Sequence, residues 1–408
     1  MGFPEDFRMA RPLVEHFADL KDPRVNRTKK HRLDDILVIA LSALVCGATT
    51  FEDIEEFAES REDWFQTFLS LPHGIPSHDT VYRVFCALDA RVFARCFAGW
   101  MADVGEALGL KGLTHIALDG KSLRGATGNT FTGCVHVVTA WATEHGLVLG
   151  REVVADKSNE IPAFPELLKT LKLTGTLVTI DAAGCQTEVV DAIRDGGGDY
   201  LLAVKGNQPT LRAAVAAVFA DAADREFEGV GATHHEAIED GHGRHEERYA
   251  TAIPTPDGVL PDVWRDVAAV VQVTRERTAA GKTERTTTYY ITSRNVSAAI
   301  LSRLVRRHWA IENECHWVLD VTFGEDANRT ADRNAAANLG VVRRAAIGML
   351  KRDEAKISKP RKAFRAALNT KYLEKLLRGN AVIYTAFSLR TGVFRLRGPG
   401  RIGARGVG

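Results

Sequence analysis

The chain has 408 residues, 45% hydrophobic and 26% charged, with a formal net charge of +1. These values fit an ordinary globular chain with a sizeable core, and the length predicts roughly two to three domains. They exclude a disordered or membrane-spanning chain: the apolar run Ile36 to Cys46 is far short of the about 20 residues that cross a bilayer.

No basic-then-apolar leader opens the chain, and six Cys lie far apart without a Cys-x-x-Cys pair. That usage suits reduced thiols better than disulfides or zinc, so a cytoplasmic protein is expected. The near-zero net charge hides a segregation. From Val341 to Gly408 there are 17 Lys/Arg against Asp353, Glu354 and Glu374, a surplus of +14 that leaves −13 for the rest. A second cluster, Lys21 to Arg32, holds six Lys/Arg and one Asp. Such asymmetry is the electrostatic footprint of phosphate contact, although a solvated helix face explains either cluster alone.

Residues 1–110 read as an all-helical N-terminal domain with a possible DNA-binding role. Leu33 to Val45 is an apolar helix, Thr50 to Phe65 an amphipathic one, and Ser77 or Asp79 caps a third. Arg91 to Leu108 is a fourth. From Leu113 the pattern changes to β-branched apolar runs: Thr114–Asp119, Gly133–Ala142 and Leu147–Ala155. Helix and strand then alternate, with Pro162 to Leu171, a strand ending at Asp181, Glu188 to Asp195, a strand from Tyr200 to Val204, and Thr210 to Ala223. This order predicts an α/β fold, a mixed sheet with helices on its faces, within a catalytic core at 111–350.

Asp119 and Asp181 each end such a strand, and Lys205-Gly206-Asn207-Gln208 follows the third. Catalytic groups of open α/β sheets gather at the carboxyl ends of strands, although one such Asp can equally open a turn. Lys121, Arg124 and Lys205 are placed to hold phosphates, or are ordinary loop charge. Residues 225–294 break the rhythm and predict a β-rich insertion. Its four His, at 234, 235, 242 and 245, lack ordered ligand spacing and a nearby Cys, which favours a DNA-touching polar hairpin over zinc.

Leu301 to Leu319 reads as one long helix whose apolar arc contains Glu312, with His308 beside it and His316 at its edge. A carboxylate among core-facing side chains is costly unless paired or metal-bound. A buried ion pair and a metal ligand remain alternative readings. Three carboxylates at a sheet edge, with no Ser–His or Cys–His pair, point to hard divalent cations and in-line phosphoryl transfer. A basic C-terminal region, 351–408, follows, ending in a Gly/Arg-rich stretch expected to be disordered.

These residues carry a family resemblance. The blocks Ala117-Leu118-Asp119-Gly120-Lys121-Ser122-Leu123-Arg124-Gly125, Lys157-Ser158-Asn159-Glu160 and Thr179-Ile180-Asp181-Ala182-Ala183-Gly184-Cys185-Gln186 lead in order to Lys205-Gly206-Asn207-Gln208 and Gly241-His242-Gly243-Arg244. His308-Trp309-Ala310-Ile311-Glu312-Asn313, His316-Trp317-Val318-Leu319-Asp320-Val321 and Glu325-Asp326 complete them. The chain resembles bacterial insertion-sequence transposases of the Asp-Asp-Glu type, in the H-repeat-associated branch, from about Asp22 to Arg378.

The resemblance implies a ribonuclease-H-like core and two Mg²⁺ or Mn²⁺ ions held by Asp119, Asp181 and Glu312. It implies cleavage of double-stranded DNA at element ends, joining of a 3′-hydroxyl to target DNA, and a homodimer in the active complex, with no organic cofactor. The wider group flanks its Glu with Tyr, Arg and Lys, where this chain has Val305, His308 and Leu319. Arg306, Arg307, His308 and His316 are the candidates to replace them, with Lys121, Arg124, Lys205, Asn207, Gln208 and Arg244 as further DNA contacts. A nuclease of the same core without strand transfer, or a decayed DNA-binding derivative, would carry the same residues.

Overall fold

The computed structural model describes residues 13–378, apart from 19, 26, 28, 108–113, 124–134, 155–159 and 242. Arg124, His242, the block 157–159 and the Gly/Arg-rich tail therefore lie outside the described residues. The N-terminal part is helical: α1 (Leu13–His16), α2 (Leu33–Val45), α3 (Phe51–Glu59), α4 (Glu62–Gln66), α5 (His78–Ala87) and α6 (Ala90–Ala107). α2 has the limits its apolar run predicts and is buried continuously from Asp35 to Val45. The helix expected from Thr50 to Phe65 is interrupted at Ser60 and Arg61, giving α3 and α4. Thr50 opens α3 with a capping box, its hydroxyl accepting from the Asp53 N–H while the Asp53 carboxylate accepts from the Thr50 N–H.

Among the described residues, nine strands form one mixed sheet: β1 (Thr114–Leu123), β2 (Val135–Ala142), β3 (Leu147–Val153), β4 (Thr176–Ile180), β5 (Asp199–Val204), β6 (Thr233–Gly241), β7 (Arg244–Pro254), β8 (Ala269–Ala279) and β9 (Lys282–Thr292). Their spatial order is β3-β2-β1-β4-β5-β9-β8-β7-β6. β1, β4 and β5 run parallel, and every other neighbouring pair is antiparallel. The α/β class and mixed sheet follow expectation. The segment 225–294 is β-rich as expected but is not a separate module. β9 pairs with β5 from Leu201↔Thr292 to Val204↔Tyr289, so the hydrogen-bonding edge of β5 is used to extend the sheet.

Strand side chains alternate between faces, and this decides where each acid emerges. Ile116 and Leu118 of β1 pack with α7 (Ala163–Leu168), α8 (Thr187–Asp195) and α9 (Pro209–Asp224). Ala117 packs on the opposite face, sharing a core with the N-terminal helices, α11 (Trp317–Phe323), α12 (Arg333–Arg352), α13 (Lys359–Leu368) and α14 (Thr370–Arg378). α10 (Ala298–His308) covers Leu177 and Leu201 beside them. Asp119, two residues after Ala117, thus belongs to the face carrying α10 to α12. α12 is buried from Ala335 to Leu350, which makes it the shared central helix of that layer. No helix among the described residues is long and apolar enough to cross a membrane.

Candidate active site

The parallel pairing of β1 with β4 sets Leu118 opposite Ile180, so Asp119 and Asp181 are the next residues on adjacent strands. β1 continues past Asp119 along β2, whereas β4 ends at Ile180. Asp119 Oδ1 accepts the Gly120 N–H at 2.9 Å. Asp181 leads into a 3₁₀ turn, Ala182–Gly184, and Oδ1 accepts the Ala183 N–H at 3.0 Å. Asn207 and Gln208, expected as DNA contacts, brace this turn. Asn207 Nδ2 donates to the Ala182 carbonyl at 2.7 Å and Gln208 Nε2 to the Cys185 carbonyl at 2.9 Å.

The expected helix from Leu301 to Leu319 is not continuous. α10 ends at His308, a π-helical segment spans Ile311–His316, and α11 follows. Its wider turn rotates each residue by less than an α-helix does, so an apolar arc drawn at 100° per residue misplaces the side chains. Ile311 and Cys315 are buried as expected, but Glu312 is 49% exposed and His316, expected at the edge, is 4% exposed. Glu312 is therefore not a core carboxylate. It stands at the mouth of the site, and His316 is the polar group set into the interior.

His316 Nδ1 lies 3.4 Å from Asp119 Oδ2 and 3.4 Å from Glu312 Oε2. Burial pushes the Asp119 carboxyl above its ordinary range, against the contact with His316. The His316 imidazole beside it holds Glu312 below its ordinary range. Burial alone would lower the imidazole's pKa, but the two carboxylates outweigh it and raise it. Asp119 Oδ2 and His316 Nε2 are buried without a hydrogen-bond partner among the described residues.

Asp119, Asp181 and Glu312 line one cavity of about 610 Å³ between the strand ends, α10 and the β7–β9 surface. Lys205, Arg244, Arg306 and His308 of the expected set line it too, and so do Arg248, Arg275 and Arg277, which were not singled out. Their signal was available: Val273, Arg275 and Arg277 alternate along β8, placing one apolar and two basic side chains on a single face.

Three expected contacts are engaged within the chain. Lys121 is 9% exposed, with its ammonium 2.7 Å from Asp320 and 3.0 Å from Asp326, so its charge is compensated inside the chain. Arg307 donates to the Thr143 carbonyl at 2.7 Å, and Arg306 pairs with Glu239 at 3.2 Å.

His308 joins a buried polar chain that sequence reading did not find. Its Nδ1 shares a hydrogen bond with Thr179 Oγ1 at 2.9 Å, Thr179 Oγ1 meets His115 Nε2 at 2.8 Å, and His115 Nδ1 meets Thr143 Oγ1 at 3.0 Å. Burial pushes His308 down to about 4 and His115 to about 3, so both rings are neutral near pH 7. His308 thus ties α10 to β4 and does not replace a cation. Contacts among β1, β4, α10 and the turn after β2 create this chain, so no local motif announces it.

Comparison with known proteins gives the family. A family described as "DDE_Tnp_1-associated" matches residues 14–101, and "Transposase DDE domain" matches residues 110–348. The "H repeat-associated putative transposase YhhI" of Escherichia coli (strain K12) is 34% identical over 378 residues, 91% of this chain and 98% of that protein. The "Putative transposase YncI" of Escherichia coli O157:H7 is 35% identical over 376 residues, 90% of this chain and 94% of that protein. An "Uncharacterized protein in dhlA 3'region" of Xanthobacter autotrophicus is 38% identical over 280 residues, 68% of this chain and 92% of that protein. With one family match running through both aspartates and the glutamate, and relatives aligned over nine-tenths of the sequence, the chain belongs to the DDE transposase family, in its H-repeat-associated branch.

Proposed function

We propose that the chain is a DNA transposase that cuts phosphodiester bonds at the ends of its element and joins the freed 3′-hydroxyl to target DNA. One observation carries the reading: Asp119, Asp181 and Glu312, far apart in sequence, line a single cavity with a wall of arginines. The order β3-β2-β1-β4-β5, three antiparallel strands and then two parallel ones, supports a ribonuclease-H-like core within the larger sheet.

The donor set fits a divalent cation. Asp119 Oδ2 is a buried carboxylate oxygen without a hydrogen bond, and Glu312 and His316 converge on it. Asp119 and Glu312, with Asp181 lining the same cavity but outside their cluster, would hold Mg²⁺ or Mn²⁺, which when bound supplies charge stabilisation to the entering and leaving oxygens of an in-line displacement. The chain's own side chains do the rest. Lys205, Arg244, Arg275 and Arg277 line the same cavity and would bind the phosphate backbone. Asn207 and Gln208 hold the Asp181 turn in place, and the Thr179–His308 contact holds α10 against β4.

A duplex oligonucleotide carrying the element's end, incubated with the full chain and Mg²⁺ or Mn²⁺, is expected to be nicked at that end and joined to a target plasmid. Asp119→Asn, Asp181→Asn and Glu312→Gln should each abolish both products. Wild-type cutting by Glu312→Gln would refute the proposal, and nicking without joining would reduce it to a nuclease.

A further inference from the structure

A site built only for hard oxygen donors has no need of the imidazole that sits in this one. His316 is 4% exposed, at the end of the π-helical segment that also carries Glu312. Its Nδ1 is 3.4 Å from Asp119 Oδ2 and 3.4 Å from Glu312 Oε2. Both separations exceed the usual N–H···O range of about 2.7–3.2 Å, so the nitrogen makes a good hydrogen bond to neither oxygen. The three ligand atoms do lie within 4.8 Å of one another, and Asp119 Oδ2 has no other partner. Ligands at right angles on an ion with bonds of about 2.1 Å are about 3 Å apart, so the His316 nitrogen stands within about 0.4 Å of ligand spacing from each carboxylate oxygen.

Resting on the metal-site reading above, we infer that His316 Nδ1 is a ligand, with Asp119 and Glu312, to one divalent cation, and that this nitrogen makes the site favour a first-row transition ion such as Mn²⁺ over Mg²⁺. Mg²⁺ is bound through oxygen and dehydrates reluctantly, whereas imidazole nitrogen suits the transition ions. The π-helical turn is the structural device: Ile311 and Cys315 anchor it in the core while it turns residue 316 inward beneath residue 312.

The test uses the full chain without DNA and Mn²⁺ as the probe, so that binding is read apart from catalysis. Titration followed by loss of the free-ion electron paramagnetic resonance signal should show bound Mn²⁺, and pulsed spectra should show a directly bonded nitrogen. His316→Gln should still bind Mn²⁺ but at least about tenfold more weakly, as even outer partners of a metal site matter to that degree. It should also lose the nitrogen coupling and the preference for Mn²⁺ in competition with Mg²⁺. Bound Mn²⁺ without nitrogen coupling in the wild type, or coupling that persists in His316→Gln, overturns the inference and leaves the carboxylate site standing. Equal Mn²⁺ binding by wild type and Asp119→Asn, or none by wild type, overturns the metal-site reading and the inference with it.

Discussion

Thr179 precedes Asp181 by two residues, and its hydroxyl bridges His115 and His308. Thr179→Val keeps the shape and removes the hydroxyl, freeing the end of α10 from β4. Since a shift of about 1 Å in a reacting group costs up to about 10²-fold, kcat should fall steeply while KM for DNA stays near wild type. Thr179→Ser should restore it, and steady-state cleavage kinetics on the three proteins decide the matter. Gly120 is constrained by a different contact. A Cβ there would lie 2.0 Å from Glu160 Oε2 and 2.7 Å from His136 Nε2. Those two groups are hydrogen-bonded at 2.5 Å, with Ser122 on the other ring nitrogen at 2.9 Å. Gly120→Ala should therefore destabilise the chain by about 1–3 kcal/mol, the usual cost of overpacking. Thermal unfolding should show part of this recovered in Gly120→Ala combined with Glu160→Ala.

At the scale of elements, α12 is unusual in carrying Arg343 and Arg344 among buried side chains. Arg344 reaches Glu325 at 2.7 Å, Arg343 donates to the Thr49 carbonyl at 2.7 Å, and Arg151 of β3 donates to the Ala337 carbonyl at 2.6 Å. Glu325 thus compensates a strongly basic interior and joins α12 to the turn after α11. Glu325→Gln leaves these guanidinium groups without a counter-charge and should lower stability by about 3–5 kcal/mol, measured by denaturant unfolding. Burial would raise the Glu325 carboxyl's pKa, but Arg344 and Arg343 outweigh it and hold the group below its ordinary value. The folded state therefore binds this proton less readily than the unfolded one. The stabilisation is complete above about pH 4.5 and is lost as pH falls through the unfolded value toward the lower folded one. Glu325→Gln should flatten that part of the stability–pH profile. α13 and α14 also belong to the core, through Ala366, Leu373 and Leu377, so the basic region after Lys351 is not purely a charged appendage.

Across the whole molecule, continuation of the sheet into β9, β8 and β7 brings basic side chains to the acids. Arg275 and Arg277 lie on the cavity wall opposite the strand ends. Replacing both with Ala should weaken DNA binding and reduce the slope of log K against log salt by about 2, near 0.9 for each lost phosphate contact. An unchanged slope would remove them from the DNA surface. The net charge of +1 conceals this arrangement because it sums acids and bases over the whole chain.

Local patterns alone determined much of this protein. The apolar run of α2, the strand that gives way to Asp181, and the change from helix to strand near residue 113 were legible because they depend on neighbours in sequence, whereas the strand expected to end at Asp119 runs on to Leu123 along β2. The spaced acids and their flanking blocks were equally legible, since a family signature is a linear object. Tertiary structure decided the rest. A uniform helical period cannot foresee a π turn, so the sequence buried Glu312 and left His316 at the edge, the reverse of what the fold does. Nor can one strand's composition reveal its sheet neighbour: β9 beside β5, Thr179 between His115 and His308, and Lys121 against Asp320 all depend on long-range pairing. Burial and partnership, set by distant residues, decide whether a charged side chain faces a ligand or stabilises the interior.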